Sequence, residues 1–274
     1  NEPYVEAALT LGTPLLTLVR STNWLDITLF PGSAYDALFR LNIVGGETTS
    51  LILPTDDQAS WRFGYALKEG LTCLAQVDTP TGARETVTYS AKPHSFPGLA
   101  SRKLPRVERH VRNPGFGQPA VEKRYEYDDR DHNFLGYGSG VSWSDDGLDN
   151  LYKVPASYWY VTIEILWDAI GNRKIQETRR VFNRFHLQTL EETTQFSSDP
   201  NKHTLKRTDT EYHLVPNLEF KDQPPYCQLP KTVTETWHLV AATTPRHVET
   251  VSTTYDNFGN LLTQVNANGV TETS

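Results

Sequence analysis

The chain has 274 residues, of which 38% are hydrophobic and 22% charged. That composition fits a folded chain, one large all-β domain or two ordinary ones, and excludes a disordered one. Against 33 acidic residues stand 26 basic ones, a net charge of −7, so phosphate backbones are repelled and nucleic acid is not an expected partner. No apolar run approaches the length of a membrane span, and Asn1-Glu2-Pro3 does not open a signal peptide.

Met is absent from the sequence, position 1 included, and the chain is read as a piece of a longer polypeptide. Cys73 and Cys227 lie far apart and belong to no C-x-x-C pair. They are expected as buried free thiols rather than as a disulfide. Aromatic and β-branched residues recur in short runs between Gly, Pro, Asn and Asp, which is the punctuation of strands.

In chain order, Tyr35, Ala37, Phe39, Leu41 and Ile43 alternate onto one face of an expected strand. Gly45-Gly46 then supplies a tight turn into a second strand from Thr48 to Leu53. A helix starting at Ser33, with Asp36 in its first turn, is the competing reading, and the unbroken alternation decides against it. A looser hairpin is read at Val77-Asp78-Thr79-Pro80-Thr81-Gly82, followed by a strand from Arg84 to Tyr89. Pro93 to Pro119 is too broken for central strands and is expected to wrap the sheet as ordered loop, as is Pro216 to Pro230.

The cleanest strand places Trp159, Val161, Ile163, Ile165 and Trp167 on one face and turns at Asp168-Ala169-Ile170-Gly171-Asn172. Thr232 to Leu239 alternates in the same way. Thr253-Thr254-Tyr255 then leads into Asp256-Asn257-Phe258-Gly259-Asn260 and a returning strand, Leu261 to Val265. In this unit the aromatic packs on the sheet, Asp accepts backbone N–H groups of the turn, and Gly and Asn tolerate left-handed backbone. No long amphipathic helix is found. Repeated hairpins predict an all-β fold, a curved open sheet of consecutive antiparallel hairpins running through residues 1–274 as one region.

Tyr255-Asp256-Asn257-Phe258-Gly259-Asn260-Leu261 resembles the YD repeat of the RHS family, and Trp167-Asp168-Ala169-Ile170-Gly171-Asn172-Arg173 is similar with Trp for Tyr. Tyr125 to Gly138 and Gln58 to Tyr65 also resemble phrases of bacterial RHS proteins. In that family the repeats form a β-strip that spirals into a hollow shell around a toxic C-terminal polypeptide, as in Rhs effectors and the B and C components of insecticidal toxin complexes. The resemblance implies a secreted shell segment. Its partners are the rest of the same polypeptide and the enclosed toxin, with self-association through sheet edges, and its repeat-turn residues are Asp168, Gly171, Asn172, Tyr255, Asp256, Gly259 and Asn260. The chain has no Asp-Pro-x-Gly motif of a self-cleaving plug, since Asp199-Pro200-Asn201 does not match it, and neither a toxin domain nor a propeller partner is recognised.

Other chemistry is weakly signalled. Asp129, Asp131 and Asn133 alternate like calcium ligands, but the sixth loop position is Phe134 and the twelfth Gly140, so a polar turn is expected. None of the eight histidines sits in H-E-x-x-H, and His110 is expected at a surface or shell lining. Asp145-Asp146 and Glu191-Glu192 are adjacent carboxylates, whereas glycosidases need two facing each other across a cleft. No G-x-S-x-G elbow or phosphate loop is present. No enzymatic activity, cofactor or metal is expected. The alternative is a carbohydrate-binding β module that stacks sugars on rings such as those of Tyr158-Trp159-Tyr160, and a glycoside-active enzyme ranks last.

Overall fold

The computed structural model describes residues 4–10, 13–127, 130–196, 202–239, 242 and 244–273. Asp128-Asp129, Asp199-Pro200-Asn201 and Asn1-Glu2-Pro3 lie outside the described residues. The protein is all-β. Apart from single-turn 3-10 segments at Asn150–Lys153 and Phe220–Asp222, every regular element among the described residues is a strand. The chain packs as two compact units, residues 1–89 with 110–121 and residues 90–109 with 122–274.

Unit one is a meander. Strands β1 (Tyr4–Thr10), β2 (Thr13–Arg20), β3 (Trp24–Leu29), β4 (Ala37–Val44), β5 (Glu47–Ile52), β6 (Ser60–Lys68), β7 (Leu71–Asp78) and β8 (Arg84–Tyr89) each pair antiparallel with the next. The Gly45-Gly46 turn forms as expected, with φ of +61° and +91°, values that an L side chain resists and glycine adopts freely. A second two-residue turn at Glu69-Gly70 (φ +50° and +78°) joins β6 to β7. Tyr35 falls in the loop before β4 and is largely exposed, so the alternating face begins at Ala37.

The register sorts unit one into two unlike faces. Leu18 opposes Ile27, Ile27 opposes Phe39, Leu25 opposes Leu41, Leu41 opposes Leu51, Leu51 opposes Trp61, and Phe63 opposes Val77. Because strand side chains alternate, these residues form one continuous apolar face across six strands. The opposite face carries Asp26 opposite Arg40 (Nε–Oδ1 2.6 Å) and Asp78 opposite Arg84 (2.5 Å). A one-residue slip would turn the apolar row of a strand to the other face and separate these ion pairs, so the pattern favours the observed register. None of the described side chains of unit one is buried.

Unit two repeats the meander with a cover. Strands β9 (His94–Phe96) and β10 (Leu99–Leu104) form a small hairpin. Strand β11 (Val107–Asn113) runs on into unit one, and β12 (Val121–Tyr127) starts there. Then β13 (Trp159–Asp168), β14 (Arg173–Asn183), β15 (Gln188–Phe196), β16 (Lys202–Tyr212), β17 (Pro230–Trp237), β18 (His247–Tyr255), β19 (Leu261–Val265) and β20 (Thr271–Thr273) pair antiparallel in sequence, with β12 on β13. Arg180 opposes Glu191 and Glu192 opposes Arg207 on the polar rows.

The core lies where irregular segments cover this sheet. Leu151 and Val154 pack with Tyr158, Tyr160 and the half-buried Val141 and Phe182. Asp149 caps the turn at Asn150–Lys153 by accepting the Leu151 N–H at 2.9 Å. Tyr152 stacks on Phe220, and Phe96 meets Trp143 edge-on. The segment from Pro216 to Pro230 is a covering loop, as expected, and holds the buried free thiol Cys227, whereas Cys73 is only partly buried.

The segment from Pro93 to Pro119 corrects the sequence reading, because it contains β9, β10 and β11. Pro93, Pro97, Pro105 and Pro114 stand just outside the strand ends. A residue without an N–H costs the ladder nothing at those positions, so proline there marks borders and does not prevent pairing.

Candidate functional site

The repeat turns are the features the sequence singles out. Asp256 N donates to the Asn260 carbonyl (2.9 Å), Gly259 N donates to the Asp256 carbonyl (3.1 Å), and Gly259 sits at φ +83°. Asp256 Oδ1 accepts the N–H groups of Phe258 (2.8 Å) and Asn260 (2.9 Å), and Asn260 Nδ2 donates to Oδ2 (2.9 Å). These donors, the Asn260 side chain foremost, hold the carboxyl below the usual aspartate range. Tyr255 lies edge-on to His213 at 5.7 Å, and His213 Nε2 is 2.9 Å from the Thr253 carbonyl.

The same backbone closure recurs at three other places. Thr79–Ala83, Asn183–Leu187 and Asn266–Val270 each pair the first N–H with the fifth carbonyl and the fourth N–H with the first carbonyl. The fourth residue always has positive φ: Gly82 (+85°), His186 (+59°) and Gly269 (+80°). Thr79 Oγ1 and Asn183 Oδ1 accept the fifth N–H as Asp256 does. A left-handed residue at the fourth position is common to all four copies, while an oxygen of the first residue accepts the fifth N–H in three of them and Asn268 Oδ1 accepts it in the Asn266 copy. In the looser copy, Thr79 therefore takes the place of Asp256, while Asp78 stays in β7 paired with Arg84.

The turn at Asp168 is one residue longer, with Asp168 paired directly to Arg173. Asp168 Oδ1 accepts Ile170 N (3.1 Å) and Gly171 N (2.8 Å), and the Gly171 bond is the main reason that this carboxyl is also held low. Here the left-handed residue is Asn172 (φ +47°), and Gly171 matters for a different reason: a Cβ there would collide with the Asp168 carboxylate. Trp167 packs under the Arg124 guanidinium, 3.6 Å from the ring centre.

Other candidate groups are committed to the fold. Asp131 pairs with Lys92 (2.7 Å), and Asn133 is buried with Oδ1 accepting Leu135 N (2.9 Å). Of the residues read as possible calcium ligands these two are described, and Asp129 is not. Asp145 and Asp146 bond Arg102 and Lys153, and Glu191 and Glu192 face Arg180 and Arg207. His110 is partly buried against Glu85 (2.9 Å). Among the described residues, no cluster of three or more His, Cys, Asp or Glu is arranged to hold a metal, and no helix is long and apolar enough to cross a membrane.

One triad-like chain went unnoticed in the sequence, because its members lie far apart along it. Asp149 Oδ2 is 2.7 Å from His186 Nε2, and His186 Nδ1 is 3.1 Å from the Tyr160 hydroxyl. Burial pushes the Tyr160 phenol upward, which is the opposite of nucleophile activation, and Tyr160 lies in the core. The chain closes the core beneath the Asn183–Leu187 turn.

No family model matches the chain, and no curated protein matches it. Among solved structures, the chain is similar to the toxin subunit assembly TcdB2-TccC3, at 13% identity over 93% of this chain and 16% of that one, with a TM-score of 0.22. It is also similar to the Tc holotoxin pore of Photorhabdus luminescens (12% identity, 93% and 15% covered, TM-score 0.22). A porin-like protein of Bacteroides vulgatus aligns at 11% identity over 95% of this chain and 84% of that one, with a TM-score of 0.17. The chain spans about 15% of the length of the toxin chains it matches.

Proposed function

We propose that this chain is a wall segment of an RHS/YD-repeat shell, a secreted bacterial assembly that encloses a toxic polypeptide and helps deliver it, and that the segment carries out no catalysis. The observation that carries this reading is the single-layer sheet of unit one. An antiparallel sheet exposed on both sides is costly unless something covers its apolar side, because each large apolar side chain left half exposed forgoes about 1 kcal/mol. Here the apolar row from Leu18 to Val77 is continuous, whereas the reverse face is mixed and carries the ion pairs Asp26–Arg40 and Asp78–Arg84 beside Val19, Leu38 and Ile52. A wall with one face toward enclosed chain and the other toward water has this division. The YD-like turns, among them Tyr255-Asp256 with Gly259-Asn260, support the same reading.

The sugar-binding alternative needs bare aromatic faces. Five of the six tryptophans instead carry a cation over the ring: Trp24, Trp143, Trp159, Trp167 and Trp237 lie against Arg40, Arg102, Arg130, Arg124 and Lys206. Tyr158 and Tyr160, the neighbours of Trp159, are buried.

The test is a site-specific photo-cross-linker placed at Phe39 on the apolar face or at Thr28 on the opposite face, in cells making the complete polypeptide. The proposal expects Phe39 to capture the enclosed polypeptide and Thr28 to capture none. Equal capture from both sites, or none from Phe39, rejects it.

A further inference from the structure

A cavity of about 250 Å³ in unit two, between the β9–β10 hairpin and the segment after β12, is lined by Lys92, His94, Lys103, Arg106, Asp131 and Tyr137 among others. Three cations face one carboxylate there. Lys92 is matched by Asp131 at 2.7 Å, and neither Lys103 nor Arg106 forms an ion pair among the described residues. Arg106 Nε is buried with no hydrogen-bond partner, and the contact of its guanidinium is the ring of Tyr127, 4.9 Å from the centroid. A buried guanidinium nitrogen without an acceptor forfeits desolvation energy that nothing in the fold returns.

His94 adds a neutral polar wall. It is 8% exposed, held edge-on by Tyr127 and Phe134, and its ring nitrogens take no hydrogen bond among the described residues. Burial, reinforced by the nearby Arg106 charge, lowers its pKa to about 4, so at neutral pH it offers one donor and one acceptor without adding charge. A shallower hollow beside this one brings Glu108 and Glu126 near Arg106, yet neither carboxylate bonds it. Arg106 lines both hollows, and no hydrogen bond from its guanidinium is found in either among the described residues.

We infer that this cavity binds a small oxyanion group, a carboxylate or a phosphate, through Arg106 and Lys103, with His94 as a neutral hydrogen-bonding wall. The guanidinium presents a planar fork suited to two oxygens of one group, and Lys103 supplies a second charge from the rim. The volume of about 250 Å³ admits the oxyanion together with a small attached group. The site is independent of the shell reading, because it lies in unit two and needs neither an enclosed chain nor the apolar face of unit one.

The test titrates the 274-residue chain by calorimetry at low ionic strength and pH 7, with inorganic phosphate in one arm and acetate in the other. Saturable binding of at least one anion is expected, weakened about tenfold or more by Arg106→Gln and by Lys103→Gln. Arg246→Gln, at an exposed position outside the cavity, is expected to leave binding unchanged. Binding in only one arm assigns the group as phosphate or carboxylate. Should Arg106→Gln fail to fold, the exposed Lys103 provides the decisive variant. The inference is overturned if neither anion binds saturably, or if Lys103→Gln binds as tightly as the unmodified chain.

Discussion

Unit one and unit two are built from the same antiparallel hairpins, yet they bury their side chains differently. In unit one the strands follow one another through short turns, and no segment is long enough to fold back over the sheet. In unit two three connections are long: the β9–β10 hairpin, the stretch between β12 and β13, and the loop after β16. Those connections supply Phe96, Leu135, Leu151, Val154, Tyr158 and Cys227, six of the ten buried hydrophobic residues among those described, and Leu151 and Val154 pack on Tyr160 of β13. A sheet gains a core only from a second layer. Loop length, not strand chemistry, decides which of the two units gains a core.

The largest expected effect tests that difference directly. Leu151→Ala, at a fully buried site, is expected to cost about 2–5 kcal/mol. Leu41→Ala on the open face of unit one is expected to cost under about 1.5 kcal/mol. Urea unfolding of both variants checks this, and equal losses would break the comparison.

Next in size is the pH dependence of unit two. His94 has its pKa lowered to about 4 in the fold, against 6.5 when unfolded. The unfolded chain therefore binds the extra proton between those values. The stabilisation is complete above pH 6.5 and lost as pH falls toward 4, a change of roughly 2–3 kcal/mol. Denaturation midpoints from pH 7 to pH 4 should show this slope, and His94→Gln should flatten that part of it.

Smaller effects separate the two YD-like turns. Gly259→Ala forces an L residue to φ +83° with only an ordinary contact to Leu229 at 3.6 Å, an expected loss of about 1 kcal/mol. Gly171→Ala meets the Asp168 carboxylate instead, so its loss should shrink when Asp168→Ala is made with it, whereas no such relief is expected for Gly259→Ala combined with Asp256→Ala. Thermal melts of the single and double variants read the coupling.

The smallest effect is acid sensitivity at the turns. The Asp168 and Asp256 carboxyls are depressed below 3.8, so their contribution is present above that value and disappears as pH falls through the folded pKa. Asp256→Asn should remove part of the slope below pH 4 and leave the slope between pH 4 and 6.5 untouched.

Much of the fold was legible because its signals are local. Alternation over Phe39, Leu41 and Ile43, Gly45-Gly46, and the Trp159 to Trp167 run each specify a strand or turn without reference to distant residues. The strands of the Pro93 to Pro119 segment are hidden in the sequence because proline density resembles loop, whereas the prolines here flank the strands. The turn module was only partly legible, since Thr79, Asn183, Asp256 and Asn266 satisfy one geometry with three residue types. The Arg106 cavity and the Asp149–His186–Tyr160 chain left no readable pattern, because each joins residues separated by long connections.

By itself the sequence determined the hairpin order, the all-β class and the apolar and charged rows, because strand periodicity and turn chemistry act over a few residues. Tertiary structure decided which rows are covered, which tryptophans lie beneath cations, and where Arg106 is left without an acceptor. Those outcomes depend on which distant segments reach the sheet, and the long connections of unit two reach it while the short turns of unit one do not.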